Sequence, residues 1–193
     1  QMNPHFIFNS LTSIQSFIFE NNPIEAGSYL SKFSELIRSI LYNSREEYIS
    51  LEKEIATLEN YLEIQQLRYN NKFDYSIDVD PEIDIEMLAI PPMLAQPFIE
   101  NSVEHGIKNL QDKGFISIKF SLSDGSIFMT IEDNGIGIEA SKKMKDNKAK
   151  EHKSLAIIIT NERIKILNSK HKKKILFNSN FRCDRKRRQC CRN

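Results

Sequence analysis

Asn70-Asn71-Lys72-Phe73-Asp74-Tyr75-Ser76-Ile77-Asp78-Val79 is the stretch at which the chain changes its hydrophobic period. Phe73, Tyr75, Ile77 and Val79 alternate with polar residues, as a half-buried strand requires. Before Asn70 the apolar residues recur at three and four positions, the helical period. Ser50 reads as the cap of a helix running to about Tyr69, with Leu51, Ile55, Leu58 and Leu62 inward. Upstream, Ala26, Leu30, Phe33, Ile37, Ile40 and Leu41 form a second stripe, and Ile7, Leu11, Ile14 and Ile18 a third. Asn3-Pro4 supplies a cap and a first-turn proline. Asn21-Asn22-Pro23 separates the first two helices, and so short a connection implies antiparallel packing. A helical hairpin leaves apolar surface uncovered, and self-association into a four-helix bundle would bury it.

Downstream, Pro91-Pro92 precedes a helical segment expected from about Met93 to Ile107. Ile116, Ile118, Phe120 and Leu122 alternate, Ser123-Asp124-Gly125-Ser126 turns, and Ile127, Met129 and Ile131 alternate again, which reads as a hairpin. Residues 138–153 are polar, lysine-rich and aperiodic, as expected of a mobile loop. Ala156 to Leu167 suits a helix, with Ile159, Arg163, Ile166 and Leu167 in register. The expected fold class is therefore α+β: a helical module over 1–70, an α+β module over 71–170, and a basic tail over 171–193.

Composition narrows the class. At 193 residues, 40% hydrophobic and 27% charged, the chain has enough apolar content for a packed core. The net charge of +1 hides a basic stretch from Lys170 onward. No apolar run approaches the roughly 20 residues of a membrane span. The opening residues lack the pattern of a signal peptide. Because the first residue is Gln, an upstream sensor or membrane region absent from this chain is expected. All three cysteines, Cys183, Cys190 and Cys191, lie in the tail at no common zinc spacing. A reduced, cytoplasmic setting is the expectation.

Three constellations carry chemistry. His5 stands beside Pro4 at the mouth of a helix, and an imidazole is a competent nucleophile at neutral pH. A lone histidine there is usually an ordinary capping or surface residue. The surrounding Asn3-Pro4-His5-Phe6-Ile7-Phe8-Asn9 string favours a phosphoryl acceptor instead. Asp133-Asn134-Gly135-Ile136-Gly137 follows a strand. An aspartate there can accept from the exocyclic amine of adenine, and glycines let the backbone approach a flat base. The competing reading is a plain Asn-Gly hairpin turn. It is disfavoured because no alternating strand follows at once. In Pro97-Phe98-Ile99-Glu100-Asn101-Ser102-Val103-Glu104-His105-Gly106, an asparagine amide oxygen suffices for magnesium, which takes few protein ligands. Glu100 can orient or deprotonate an attacking imidazole, and His105 and Gly106 close the helix near the phosphates. The bland alternative is a solvated polar face. Lys142, Lys143, Lys145, Lys148, Lys150 and Lys153 can cover phosphates, although such runs are more often only solvated. The tail lacks aromatic interleaving, so no nucleic-acid partner is expected.

In combination these residues resemble the LytS-like sensor histidine kinases over roughly residues 1–169. The resemblance implies that His5 is phosphorylated from Mg-ATP and that the second module is a Bergerat-type ATP-binding domain. It implies that Asn101 coordinates magnesium, that Asp133 reads adenine, and that Gly135 and Gly137 shape the pocket. It suggests Glu100 as the base for His5, and it places His105, Gly106, Lys153, Ser154 and Leu155 along the nucleotide. Partners implied are a second copy in a homodimer and the receiver domain of a response regulator, often of LytTR type. The full-length protein is then expected at the inner membrane.

Two departures stand out. Ala156 occupies the position where the family opens its second glycine box, and a Cβ there crowds a phosphate cradle. Beyond Lys174 the family's closing strands, with their Gly-Thr turn, are not legible, and from Phe177 on no alternating strand is visible. The clustered cysteines and arginines resemble a reading-frame shift. The alternative frame of the nucleotide sequence tests that idea, and absence of a strand-like Gly-Thr ending would remove it. The expected activity is a protein-histidine kinase. The alternatives are a non-enzymatic dimerising module and an ATP-dependent switch of the same fold.

Overall fold

Two prolines start the first two helices, and asparagines end them. The computed structural model describes residues 4–108, 110–123, 126–135 and 175–178. In chain order the elements are α1 (Pro4–Phe19), α2 (Pro23–Asn43), β1 (Ile49–Ser50), α3 (Leu51–Arg68), β2 (Phe73–Val79), β3 (Ala89–Ile90), α4 (Gln96–Asn101), a π-helical segment (Ser102–Ile107), β4 (Gly114–Ser123), β5 (Ser126–Asp133) and β6 (Ile175–Asn178). The chain is a mixed α+β protein that divides into two units: Gln1–Asn71 with Ile85–Leu94, and Lys72–Asp84 with Ala95–Asn193.

In the first unit Asn21 adopts φ 56° between α1 and α2. Asn22 caps α2, its Oδ1 accepting from the Glu25 amide at 3.3 Å. Phe17 meets Tyr29 near the turn (5.8 Å between rings), and Phe6 meets Phe33 further away (6.1 Å), so α1 and α2 run antiparallel. The buried stripe of α2 is Ala26, Tyr29, Phe33, Leu36 and Ile40. The expected stripe was only partly right, because Leu30 and Leu41 are exposed. On α1 the buried positions are Phe6 and Ser10, whereas Leu11 and Ile18 of the expected stripe are exposed. Both helices also carry exposed apolar residues, and α3 packs against α2. Ser50 caps α3 as expected, accepting from the Lys53 amide at 3.3 Å. Asn70 and Asn71, at φ 50° and 54°, end it. Left-handed backbone suits asparagine better than most side chains.

One buried acid organises this unit further. The carboxylate of Glu54, 1% exposed on α3, accepts from the Met93 and Leu94 amides, both at 2.9 Å. Antiparallel pairing of β1 with β3, Ile49 opposite Ile90, holds the same 85–94 segment.

The second unit is built on a sheet of order β2-β4-β5-β6. β2 runs parallel to β4, β4 and β5 form the expected hairpin, and β6 runs parallel to β5. Ile116, Ile118 and Phe120 on β4 and Ile127, Met129 and Ile131 on β5 are buried. They share one face, since Ile118 pairs with Ile131 and Phe120 with Met129. The π-helical segment packs on these two strands, contributing buried Val103 and Ile107.

Two expectations need correction. The helix expected from Met93 begins only at Gln96, because Met93 takes φ 60°, outside helical space. From Ser102 it widens to the π form. The end of the chain is not free of strands: Ile175–Asn178 pairs with Ile127–Thr130. Four residues suffice to pair with an existing edge, too few to show alternation in sequence.

Candidate functional site

Strand alternation puts a carboxyl where an apolar side chain would be expected. Ile127, Met129, Ile131 and Asp133 occupy the same face of β5, and the first three are buried. Asp133 ends the strand opposite Ile116 and is half-buried. Its Oδ1 accepts from the Gly135 amide at 2.9 Å. Burial pushes the acid above its ordinary 3.8; the neighbouring Ser102 hydroxyl and the Gly135 N–H partly oppose that rise.

Two glycines let this carboxyl sit where it does. A Cβ on Gly106 would fall 2.7 Å from Asp133 Oδ1. A Cβ on Gly135 would fall 2.3 Å from the Gly106 Cα and 2.6 Å from the same oxygen. The backbones of the π-helical segment and the turn after β5 are thus in direct contact around the acid. Gly106, which the sequence suggested as a helix end near phosphates, lies against Asp133. Asn134 pins the turn: its Oδ1 accepts from the Phe115 amide at 2.7 Å, and its backbone N–H donates to the Phe115 carbonyl at 3.2 Å. Sequence reasoning missed that brace, because hydrophobic alternation predicts the β4–β5 hairpin but not which side-chain amide bonds at its open end.

The π form itself is informative. The Lys108 N–H reaches the Val103 carbonyl at 3.0 Å, five residues back. Such turns are uncommon and concentrate at functional sites. Just before it, Glu100 accepts from the buried Gln96 amide (4% exposed) at 3.1 Å, one helical turn away. Asn101 is half-buried at the end of α4. Ser102 is 1% exposed, and its hydroxyl has no hydrogen-bond partner of good geometry among the described residues. It lies close enough to Asp133 to favour the ionised acid, yet outside bonding geometry. Sequence reasoning passed over both Gln96 and Ser102. A glutamine four positions before Glu100 was the only signal available for the first, and nothing local marked the second.

His5 lies in the first turn of α1, in the first unit; its side chain is outside the described residues. Its neighbour Phe6 is 3% exposed and packs on Phe33 and, at 5.2 Å, on Tyr61 of α3. That aromatic anchor fixes the backbone that carries the imidazole. The His105 side chain, Gly137, Lys153, Ser154, Leu155, Ala156 and the lysines of 142–153 also lie outside the described residues. Among the described residues no three His, Cys, Asp or Glu side chains cluster for a metal ion, and no helix is long and apolar enough to cross a membrane.

The set brings together a core-facing acid, two glycines that leave room beside it, and a buried hydroxyl with no partner of good geometry among the described residues. Residues 1–73 match the family described as Histidine kinase. The chain is similar to Sensor protein LytS of Staphylococcus saprophyticus, 34% identical over 79% of this chain and 25% of that protein. Sensor protein LytS of Oceanobacillus iheyensis is 36% identical over 72% of this chain and 23% of its own length. Sensor histidine kinase YpdA of Escherichia coli is 30% identical over 92% of this chain and 29% of its own length. The chain belongs with the LytS-like sensor histidine kinases, and it spans about a quarter of the length of these curated relatives.

Proposed function

We propose that this chain is the kinase core of a two-component sensor, transferring the γ-phosphoryl group of ATP to His5. The observation that carries the reading is the Asp133 carboxyl held on the core side of β5 between Gly106 and Gly135. A half-buried, core-facing acid of this kind can accept from an exocyclic amine, as adenine offers. The second unit is then a Bergerat-type ATP-binding domain, and residues 1–70 supply the phosphoacceptor and dimerisation helices.

In this reading a ring nitrogen of His5 bonds to the γ-phosphorus while the bond to the β,γ-bridging oxygen breaks and ADP leaves. Glu100, oriented by Gln96, takes the proton released from the imidazole. Asn101 offers an amide oxygen suited to magnesium, which needs few protein ligands and would neutralise charge on the phosphates when bound. His105, Gly137, Lys153, Ser154 and Leu155 are assigned to the nucleotide through the family resemblance alone.

Leu11, Ile18, Leu30 and Leu41 are exposed on α1 and α2, which supports a homodimer that covers them. The phosphoryl group then passes to an aspartate of a response-regulator receiver domain, with a LytTR-type regulator the expected partner. The reaction takes place in the cytoplasm. The much greater length of the relatives supports an additional sensor region in the whole protein.

Incubation with γ-labelled ATP and magnesium tests the proposal. Label that is acid-labile, alkali-stable and absent from His5→Gln supports it. Nucleotide binding without label supports an ATP-dependent switch instead, and absence of nucleotide binding supports a dimerising module without turnover.

A further inference from the structure

Ser102 is the one buried hydroxyl beside the Asp133 acid that has no partner of good geometry among the described residues. Hydroxyls in helices usually bond to the carbonyl four residues back. Thr12, Ser13, Ser34 and Thr57 all do so in this chain, at 2.8–3.1 Å. Ser102 does not, although it is 1% exposed at the junction of α4 and the π-helical segment. An unpaired hydroxyl in a core costs stability, and alanine would fit a helical position without that cost. Such a hydroxyl remains available to a ligand.

We propose that Ser102 is a second base-reading residue, donating to ring nitrogen N1 of an adenine whose exocyclic amine is accepted by Asp133. The inference rests on the adenine reading of this site and extends it to specificity. Adenine places an amine donor beside the N1 acceptor on one edge, and enzymes that read bases bond to that edge. A carboxylate next to a hydroxyl complements the pair. Hypoxanthine and guanine reverse it, with a carbonyl in place of the amine and N1–H in place of the acceptor. The carboxylate would then face an oxygen. Gly106 and Gly135 keep Cβ atoms out of the space around the Asp133 carboxyl.

Calorimetric titration of the full chain with ATP and with 1-deaza-ATP tests this. The analogue keeps the amine but replaces N1 by C–H. The wild-type chain is expected to prefer ATP by about three- to tenfold, the range of one hydrogen bond. Ser102→Ala should lose that preference while its unliganded melting temperature stays level or rises. Equal binding of the two nucleotides by the wild type overturns the proposal. So does a Ser102→Ala variant that keeps the preference, whatever its absolute affinity. Failure of the wild type to bind either nucleotide overturns the adenine reading and this proposal with it.

Discussion

Gly135 rests on Gly106 so closely that a Cβ on Gly135 would lie 2.3 Å from the Gly106 Cα and 2.5 Å from its carbonyl carbon. Two segments some thirty residues apart in the chain are thereby joined backbone to backbone, with the Asp133 carboxyl between them. The contact explains why glycine stands at both positions, and it makes the site sensitive to single methyl groups.

Gly135→Ala should therefore destabilise the second unit by about 1–3 kcal/mol, the usual range for overpacking. Gly106→Ala should cost less, because its Cβ meets the Asp133 side chain rather than backbone. Urea unfolding curves measure both. A Gly135→Ala variant as stable as the wild type would contradict the packing described here.

Asp133→Asn should abolish nucleotide binding and at the same time stabilise the unliganded protein near neutral pH. Burial raises the folded-state pKa above the ordinary 3.8. A raised acid contributes stability below its unfolded pKa, and that contribution is lost as pH rises through the folded pKa. The advantage of the asparagine variant should therefore shrink as pH falls through the same window. Melting temperatures of both proteins across the acid range check this, and a difference that is constant with pH would refute it.

Glu54→Leu should cost about 1–3 kcal/mol for each amide left unpaired, at Met93 and at Leu94. Hydrogen exchange at those two amides should accelerate well before the amides of α3 respond. Unchanged protection there would show that Glu54 does not hold the segment.

Tyr29→Phe should leave stability unchanged or raise it slightly at neutral pH. The Tyr29 hydroxyl is buried and has no partner of good geometry among the described residues, although Ser10, itself buried and similarly unsatisfied there, lies beside it. Burial raises its pKa above 10.0, with the nearby Ser10 and Ser13 hydroxyls and the Arg68 charge opposing. The phenol therefore contributes stability below its unfolded pKa that disappears as pH climbs through the raised value. The phenylalanine variant should lose less stability in alkali than the wild type, as followed by circular dichroism.

Leu30→Glu combined with Leu41→Glu should yield a monomer by sedimentation equilibrium. Both side chains are exposed on α2, so the fold of the single chain should survive. A dimer that persists in this variant would remove that helix face from the interface.

Much of the fold was legible because periodicity is a local property. The alternation from Phe73 to Val79, the hairpin of β4 and β5, and the Ser50 cap all appear where residue order alone puts them. The site was legible in part. Asp133 and its glycines stood out as a motif, but the reason for Gly106 did not, since the atom that excludes a Cβ there belongs to a distant strand.

From residue order alone came the two periods of the chain, the breaks at Asn21 and Asn70, and the residues proposed for phosphoryl chemistry. Only the tertiary structure decided which apolar residues of α1 and α2 are covered, that Glu54 holds two amides inside the first unit, and that Ser102, beside Asp133, has no partner of good geometry among the described residues. The physical reason is that a helix or strand specifies its faces, whereas burial and hydrogen bonding depend on whichever element packs against them.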